Sequence, residues 1–282
     1  MPGRLSRSFR LGHRSEDIGV VFFRTFSAVS SIRQEDDTGI DLVSTLLRKD
    51  GNLLFAENSF FVQIKSVSVP EVIYKNAEIG WFINQDLPFF ICTVDKEKDI
   101  IKIYTTNRAY QIIGGGSCSE LKLLLDDNPV GYLPNMRYDS DTAVISLGPP
   151  IVISSLQESF KESEAQRIYD ILKTWSTLEH EQTHLRKLGF SKFAVWETHG
   201  SPSYTGISNR GSQENLKRDL LAAKPYLEYL ANHLEFLNDD KEEKTEIFRA
   251  LKKWYKEFDI TPSFEIDKTY LMKNDEGEFY TE

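Results

Sequence analysis

The chain has 282 residues, 40% of them hydrophobic, and a formal net charge of −9, so it can bury a substantial core in one large or two modest domains. Its charge excludes a protein that coats nucleic acid nonspecifically, because such affinity comes from Lys and Arg displacing counterions. It has no apolar run of about 18 residues, no apolar stretch behind its N-terminal arginines, and only Cys92 and Cys118 as thiols; a cytoplasmic protein with no membrane span, disulfide framework or zinc cluster is expected.

Residues 1–150 carry 16 basic and 19 acidic side chains, and residues 151–282 carry 18 and 24. The first fourteen residues hold Arg4, Arg7, Arg10 and Arg14 and no acid, which reads either as an arm that touches phosphate or as a solvated terminus. Ser15 is placed to cap a helix with Glu16 and Asp17 in its first turn and Ile18, Phe22, Phe26 and Val29 at helical spacing. The stretch Asp37–Ser66 then reads as a hairpin, its strands at 40–47 and 58–65 and its turn at Lys49-Asp50-Gly51-Asn52. Facing residues of an antiparallel pair have a constant sum of numbers, and a turn centred near Asn52 sets Asp41 opposite Gln63. Alternation then puts Gln63 and Lys65 on one face and Val62 and Ile64 on the other. A carboxylate, an amide oxygen and an ammonium are thereby gathered at one sheet edge, which suits a divalent metal ion.

These residues resemble the restriction-endonuclease-like nucleases, whose signature is Asp, then Glu or Asp, x, Lys. Gly39-Ile40-Asp41 with Gln63-Ile64-Lys65 is similar to the Mrr-like branch, in which Gln stands for the second acid. The resemblance covers roughly the first half of the chain. It implies a three-layer α/β/α core with a mixed sheet, and Mg²⁺ or Mn²⁺ held by Asp41, Gln63 and the Ile64 carbonyl. It also implies hydrolysis of DNA by Asp41, Gln63 and Lys65, with Glu16 reaching the metal site from the helix before the hairpin, and restriction or anti-phage defence as the setting. The neutral Gln63 implies weaker Mg²⁺ binding than a pair of acids would give, and some members of this fold have lost catalysis. Taken singly, Asp41 is also explained as a strand-start residue, Lys65 as an edge-strand charge and Glu16 as an acid answering the helix dipole.

Beyond Pro70 a short amphipathic segment runs to Trp81, and residues 86–107 read as strand, charged turn, strand, with Phe89, Phe90, Ile91 and Cys92 buried on both faces. Gly114-Gly115-Gly116-Ser117 lacks the Lys-Ser or Lys-Thr of a phosphate loop and reads as a plain loop. A last strand at Thr142–Leu147 enters Gly148-Pro149-Pro150, a domain boundary. Residues 151–282 read as mainly helical, with apolar spacing at Ile168, Ile171, Leu172, Trp175 and Leu178 and again from Ile247 to Phe258, and serve oligomerisation or partner binding. Pro225 is expected to interrupt or kink a helix over 213–237, and residues 262–272 to be extended.

A rival chemistry lies in that half. His180-Glu181-Gln182-Thr183-His184 fits the HExxH pattern, two histidines one helical turn apart for Zn²⁺ and Glu181 as general base, as in zinc metallopeptidases. Against it, His180 and His184 fall opposite the apolar face and look into solvent, Glu179 puts a charge beside them, and Glu197 and His199 offer no clear third ligand.

Overall fold

The structure, a computed structural model, describes residues 7–32, 39–113, 118–128, 136–139, 141–187, 190–197, 200–202, 204–209, 217, 220–229 and 253–261. The chain forms two compact units, Met1–Arg186 with Phe190–Arg210, and Lys187–Gly189 with Gly211–Glu282.

In the first unit the order is α1 (Arg7–Phe23), β1 (Ser27–Ser31), β2 (Leu42–Asp50), β3 (Leu53–Ser66), β4 (Glu71–Lys75), α2 (Ala77–Ile83), β5 (Phe89–Asp95), β6 (Ile100–Thr105), α3 (Asn107–Ile113), β7 (Glu120–Leu124), β8 (Met136–Asp139), β9 (Thr142–Ser146), β10 (Val152–Ser154), α4 (Leu156–Ser159), α5 (Glu162–Lys187), β11 (Phe190–Val195) and β12 (Tyr204–Asn209). A six-stranded sheet runs β1-β2-β3-β5-β6-β10, a four-stranded one β4-β7-β9-β8, and β11 pairs with β12. The large sheet is mixed, since β3 and β5 are parallel and its other neighbours antiparallel. The class is α/β.

β2 and β3 form the expected hairpin around Gly51, whose φ of +59 opens a two-residue turn in the left-handed region that matches strand twist. β5 is buried on both faces because its side chains alternate between two cores. Phe90, Cys92 and Val94 join Phe22, Phe23, Phe60, Val62, Ile64, Ile168, Leu172 and Trp175. Phe89 and Ile91 join Tyr74, Phe82, Tyr110, Leu121 and Ile145. The first core lies between the sheet and helices α1 and α5. The second is closed by α2 and α3 together with the four-stranded sheet, so that layer is not helical alone.

Several expectations change. α1 begins at Arg7, which places Ser15 in mid-helix, buried, and not at the cap; Arg7, Arg10 and Arg14 belong to that helix, while Arg4 lies outside the described residues. Continuity of the first unit runs through Pro149 and Pro150, since β10 pairs with β6 and α5 packs on the same sheet. Trp175 is wholly buried against Trp196, ring centroids 4.9 Å apart and nearly perpendicular, so it serves this core and no partner. In the second unit residues 220–229 are helical straight across Pro225, and Leu220, Tyr255 and Ile260 form a small core. The loop at 114–117 and the segment at 262–272 lie outside the described residues. Among the described residues no helix is long and apolar enough to cross a membrane.

α1 approaches β3 so closely that a Cβ on Gly19 would stand 2.6 Å from Ile64 Cδ1. Gly19→Ala must push Ile64 into a packed core, and the overpacking, ~1–3 kcal/mol, outweighs the gain of about 1 kcal/mol in helix propensity. The variant is expected to melt below wild type in calorimetry.

Candidate functional site

The ladder between β2 and β3 pairs Leu42 with Val62, and one step further the same register sets Asp41 across from Gln63. Here the two strands part. Asp41 still donates its backbone N–H to the Val62 carbonyl at 3.0 Å, while its carboxylate swings back and accepts the Ile64 N–H at 2.5 Å. From Gln63 to Ser66, β3 keeps only β5 as ladder partner, so the open side of Ile64 is filled by a side chain where a strand would lie. The N–H and C=O of one strand residue point the same way, which puts the Ile64 carbonyl beside the Asp41 carboxylate.

The group therefore stands at the open end of an interior strand and not at a sheet edge, which corrects the expectation. It is also more enclosed. Gln63 is 6% exposed, and its Oε1 accepts a hydrogen bond from Tyr74 Oη at 3.2 Å. Tyr74 stacks on Phe82, and burial first, then the charges of Tyr110, Glu78 and Asp41, keep its phenol protonated well above the usual range. Burial and the Asp41 charge hold the Cys92 thiol up in the same way. Gly39 brings the chain in at φ +87, with Trp81 only 3.3 Å and Gln63 Nε2 3.6 Å from where a Cβ would be. A side chain there would be strained and would press on Trp81, which gives Gly39 in Gly39-Ile40-Asp41 a physical role.

Lys65 shares the face of Gln63 and is half-buried. In register it is beside Thr93, which is beside Lys102 on β6, so two ammonium-bearing residues flank a threonine across three strands. Lys102 Nζ bonds both oxygens of Asp127, at 2.8 and 2.9 Å. Tyr104 shares that face. Burial first, then Asp127, holds its phenol above its ordinary range, and it is hydrogen-bonded to Thr93.

Glu16 occupies different ground. α1 lies on the face of Val62 and Ile64, opposite to that of Gln63 and Lys65, and Glu16 is three residues before Gly19, the point of contact with Ile64. It does not share the face of Gln63 and Lys65. Because α1 starts at Arg7, the helix-dipole explanation for Glu16 no longer holds, as that effect is confined to the first turn.

Asp41, Gln63 and the Ile64 carbonyl are all hard oxygen donors and fit Mg²⁺ or Mn²⁺ chemistry. Among the described residues no three His, Cys, Asp or Glu side chains converge. The Gln63 oxygen, with two lone pairs, can keep Tyr74 and still serve as ligand.

At the HExxH stretch both histidines are exposed, and Glu181 is ion-paired with Lys192. Glu179 lies on the inner side of α5, buried.

Sequence reasoning missed Tyr74, Trp81, Thr93, Tyr104 and Lys102. Each meets the group through pairing between distant segments. Alternation along β5 and β6 is the sole local sign that Thr93, Lys102 and Tyr104 face one way. No family model, no curated protein and no solved structure matches this chain.

Proposed function

We propose that this protein is a metal-dependent DNA endonuclease built on the restriction-endonuclease-like, Mrr-like plan, acting in restriction or anti-phage defence in the cytoplasm. The observation that carries the reading is the Asp41 carboxylate on the Ile64 N–H where β2 parts from β3, with Gln63 and Lys65 on one face of that strand. A mixed sheet with α1 on one face supports the same plan.

When bound, Mg²⁺ would act as a Lewis acid on the scissile phosphate, held by Asp41, Gln63 and the Ile64 carbonyl. Asp41, locked by the Ile64 N–H, has little freedom to turn away from that position. Tyr74 holds Gln63 in the same way, so the oxygen donors are arranged before substrate arrives. Lys65 has no ion pair with any described residue and is the cation left to orient the attacking water and offset phosphate charge. Lys102, engaged by Asp127, lies two strands across the sheet from Lys65, where a neighbouring phosphate would pass.

The test is incubation of purified protein with plasmid and with single-stranded DNA, with and without Mg²⁺ or Mn²⁺. Cleavage that depends on the metal is expected, and metal-independent cleavage, or none on any DNA, would defeat the reading. A catalytically silent DNA-binding module is the second reading, favoured by the neutral Gln63 and its bond to Tyr74; it predicts DNA binding without cutting. The peptidase reading has less support, because Glu181 is committed to Lys192. Pairing of two copies, or binding of a partner protein, through the second unit belongs to the same proposal, with Tyr226, Tyr229 and Trp254 exposed there.

A further inference from the structure

His180 and His184 stand one turn apart on the outer side of α5, both exposed. Their Nε2 atoms are 3.3 Å apart and their rings perpendicular, with centroids 4.8 Å apart. Two imidazole nitrogens bound to one tetrahedral ion at about 2.0–2.1 Å must stand about 3.3 Å from each other. The ring nitrogens thus already have the separation that such an ion imposes.

We propose that His180 and His184 form a reversible binding site for a divalent transition ion of intermediate softness, with Zn²⁺ the type, that fastens the last turns of α5. Nitrogen donors select such an ion and not Mg²⁺, which prefers oxygen. The site is not a peptidase centre. Glu181 points its carboxylate at Lys192 and so does not activate a water on the ion, and among the described residues two protein ligands leave the remaining positions to solvent. Binding is correspondingly reversible, and the ion leaves in the presence of a chelator. Its effect falls on the fold. The inner side of these turns carries Glu179, Gln182 and Thr183, all buried, and Arg186, which donates to the Ile83 and Gln85 carbonyls and lies over the Tyr110 ring. An ion that links residues four apart on the outer side holds the helical form of that segment and stabilises the folded state in proportion to its occupancy. The inference is independent of the nuclease reading, whose residues are on other elements.

Full-length protein is stripped with a chelator, exchanged into metal-free buffer and titrated with Zn²⁺ by calorimetry. Its melting is followed with and without the ion. Saturable binding of one ion per chain is expected, with a rise in melting temperature, and His180→Ala and His184→Ala should each weaken binding by about tenfold or more and remove the rise. Both histidines are exposed, so their variants fold. Absence of saturable binding in wild type, or wild-type affinity in either histidine variant, would overturn the proposal. In the first case the gap between the rings holds an ordinary N–H to N hydrogen bond.

Discussion

Lys65→Ala protein is expected to lose metal-dependent DNA cleavage by about a hundredfold or more, the usual worth of a positioned proton-transfer or charge-stabilising group, and to melt close to wild type. The second half of that expectation follows from its surroundings. Lys65 is half-buried and has no ion pair with a described residue, so truncation leaves no buried partner stranded. Asp41 differs. Its carboxylate is the acceptor of the Ile64 N–H, and Asp41→Ala orphans that group at a cost of about 1–3 kcal/mol, so its loss of cleavage would be mixed with loss of stability. Asp41→Asn is the cleaner variant, because an amide oxygen can keep the Ile64 N–H while the anionic ligand is gone. Gln63→Glu adds an anion at a position that is 6% exposed and across from Asp41. It should bind Mg²⁺ more tightly yet melt lower without it, the deficit closing as Mg²⁺ is added. Cleavage is read on plasmid at matched Mg²⁺, with melting of each variant alongside. Lys65→Ala protein that cuts as fast as wild type would sink the site assignment, and the binding-module reading would take its place.

The hairpin was legible because its determinants are local: alternation in 58–65, turn formers at 50–52, and a constant pairing sum. Even there one compensation was hidden. The tip pairs Asp50 with Leu53, which alone would set Asp41 against Val62, and an irregularity between Thr45 and Leu47 shifts the register by one so that Leu42 meets Val62. Such bulges carry no sequence mark that survives among polar residues. β5 was legible for a different reason, since a strand between two cores must be apolar at successive positions. The start of α1 was not legible, because an apolar stripe reveals only the part of a helix that packs, and residues 7–14 are mostly polar. Nor was the role of α5: its apolar spacing is plain, but whether it packs on the sheet or elsewhere is decided by Ile168, Leu172 and Trp175 meeting strands over a hundred residues away. The face that α1 covers likewise decides where Glu16 stands, and sequence spacing says nothing about it.

The largest expected effect on stability comes from Glu179, which sequence reasoning treated as a stray charge beside the histidines. It is fully enclosed. Oε1 accepts the Thr105 hydroxyl, and Oε2 is buried without a hydrogen-bond partner. Burial pushes its carboxyl up to about 7, against the opposing pull of the Thr105 hydroxyl, the Arg186 charge and the Asn107 backbone N–H. The folded state therefore holds a proton that the unfolded chain, with an ordinary carboxyl near 4.5, has released. Between those values the native state binds more protons, so stability falls as pH rises from about 4.5 to about 7 and is level beyond, a total on the order of 3 kcal/mol. Glu179→Gln removes the titration, and its amide oxygen can keep the Thr105 and Asn107 contacts. The variant should match wild type near pH 4.5 and exceed it at pH 8, the gap opening across the interval. Chemical denaturation at half-unit steps of pH from 4.5 to 8 measures both slopes. An unchanged slope in Glu179→Gln would mean that the carboxyl titrates normally and that its buried setting opens in solution.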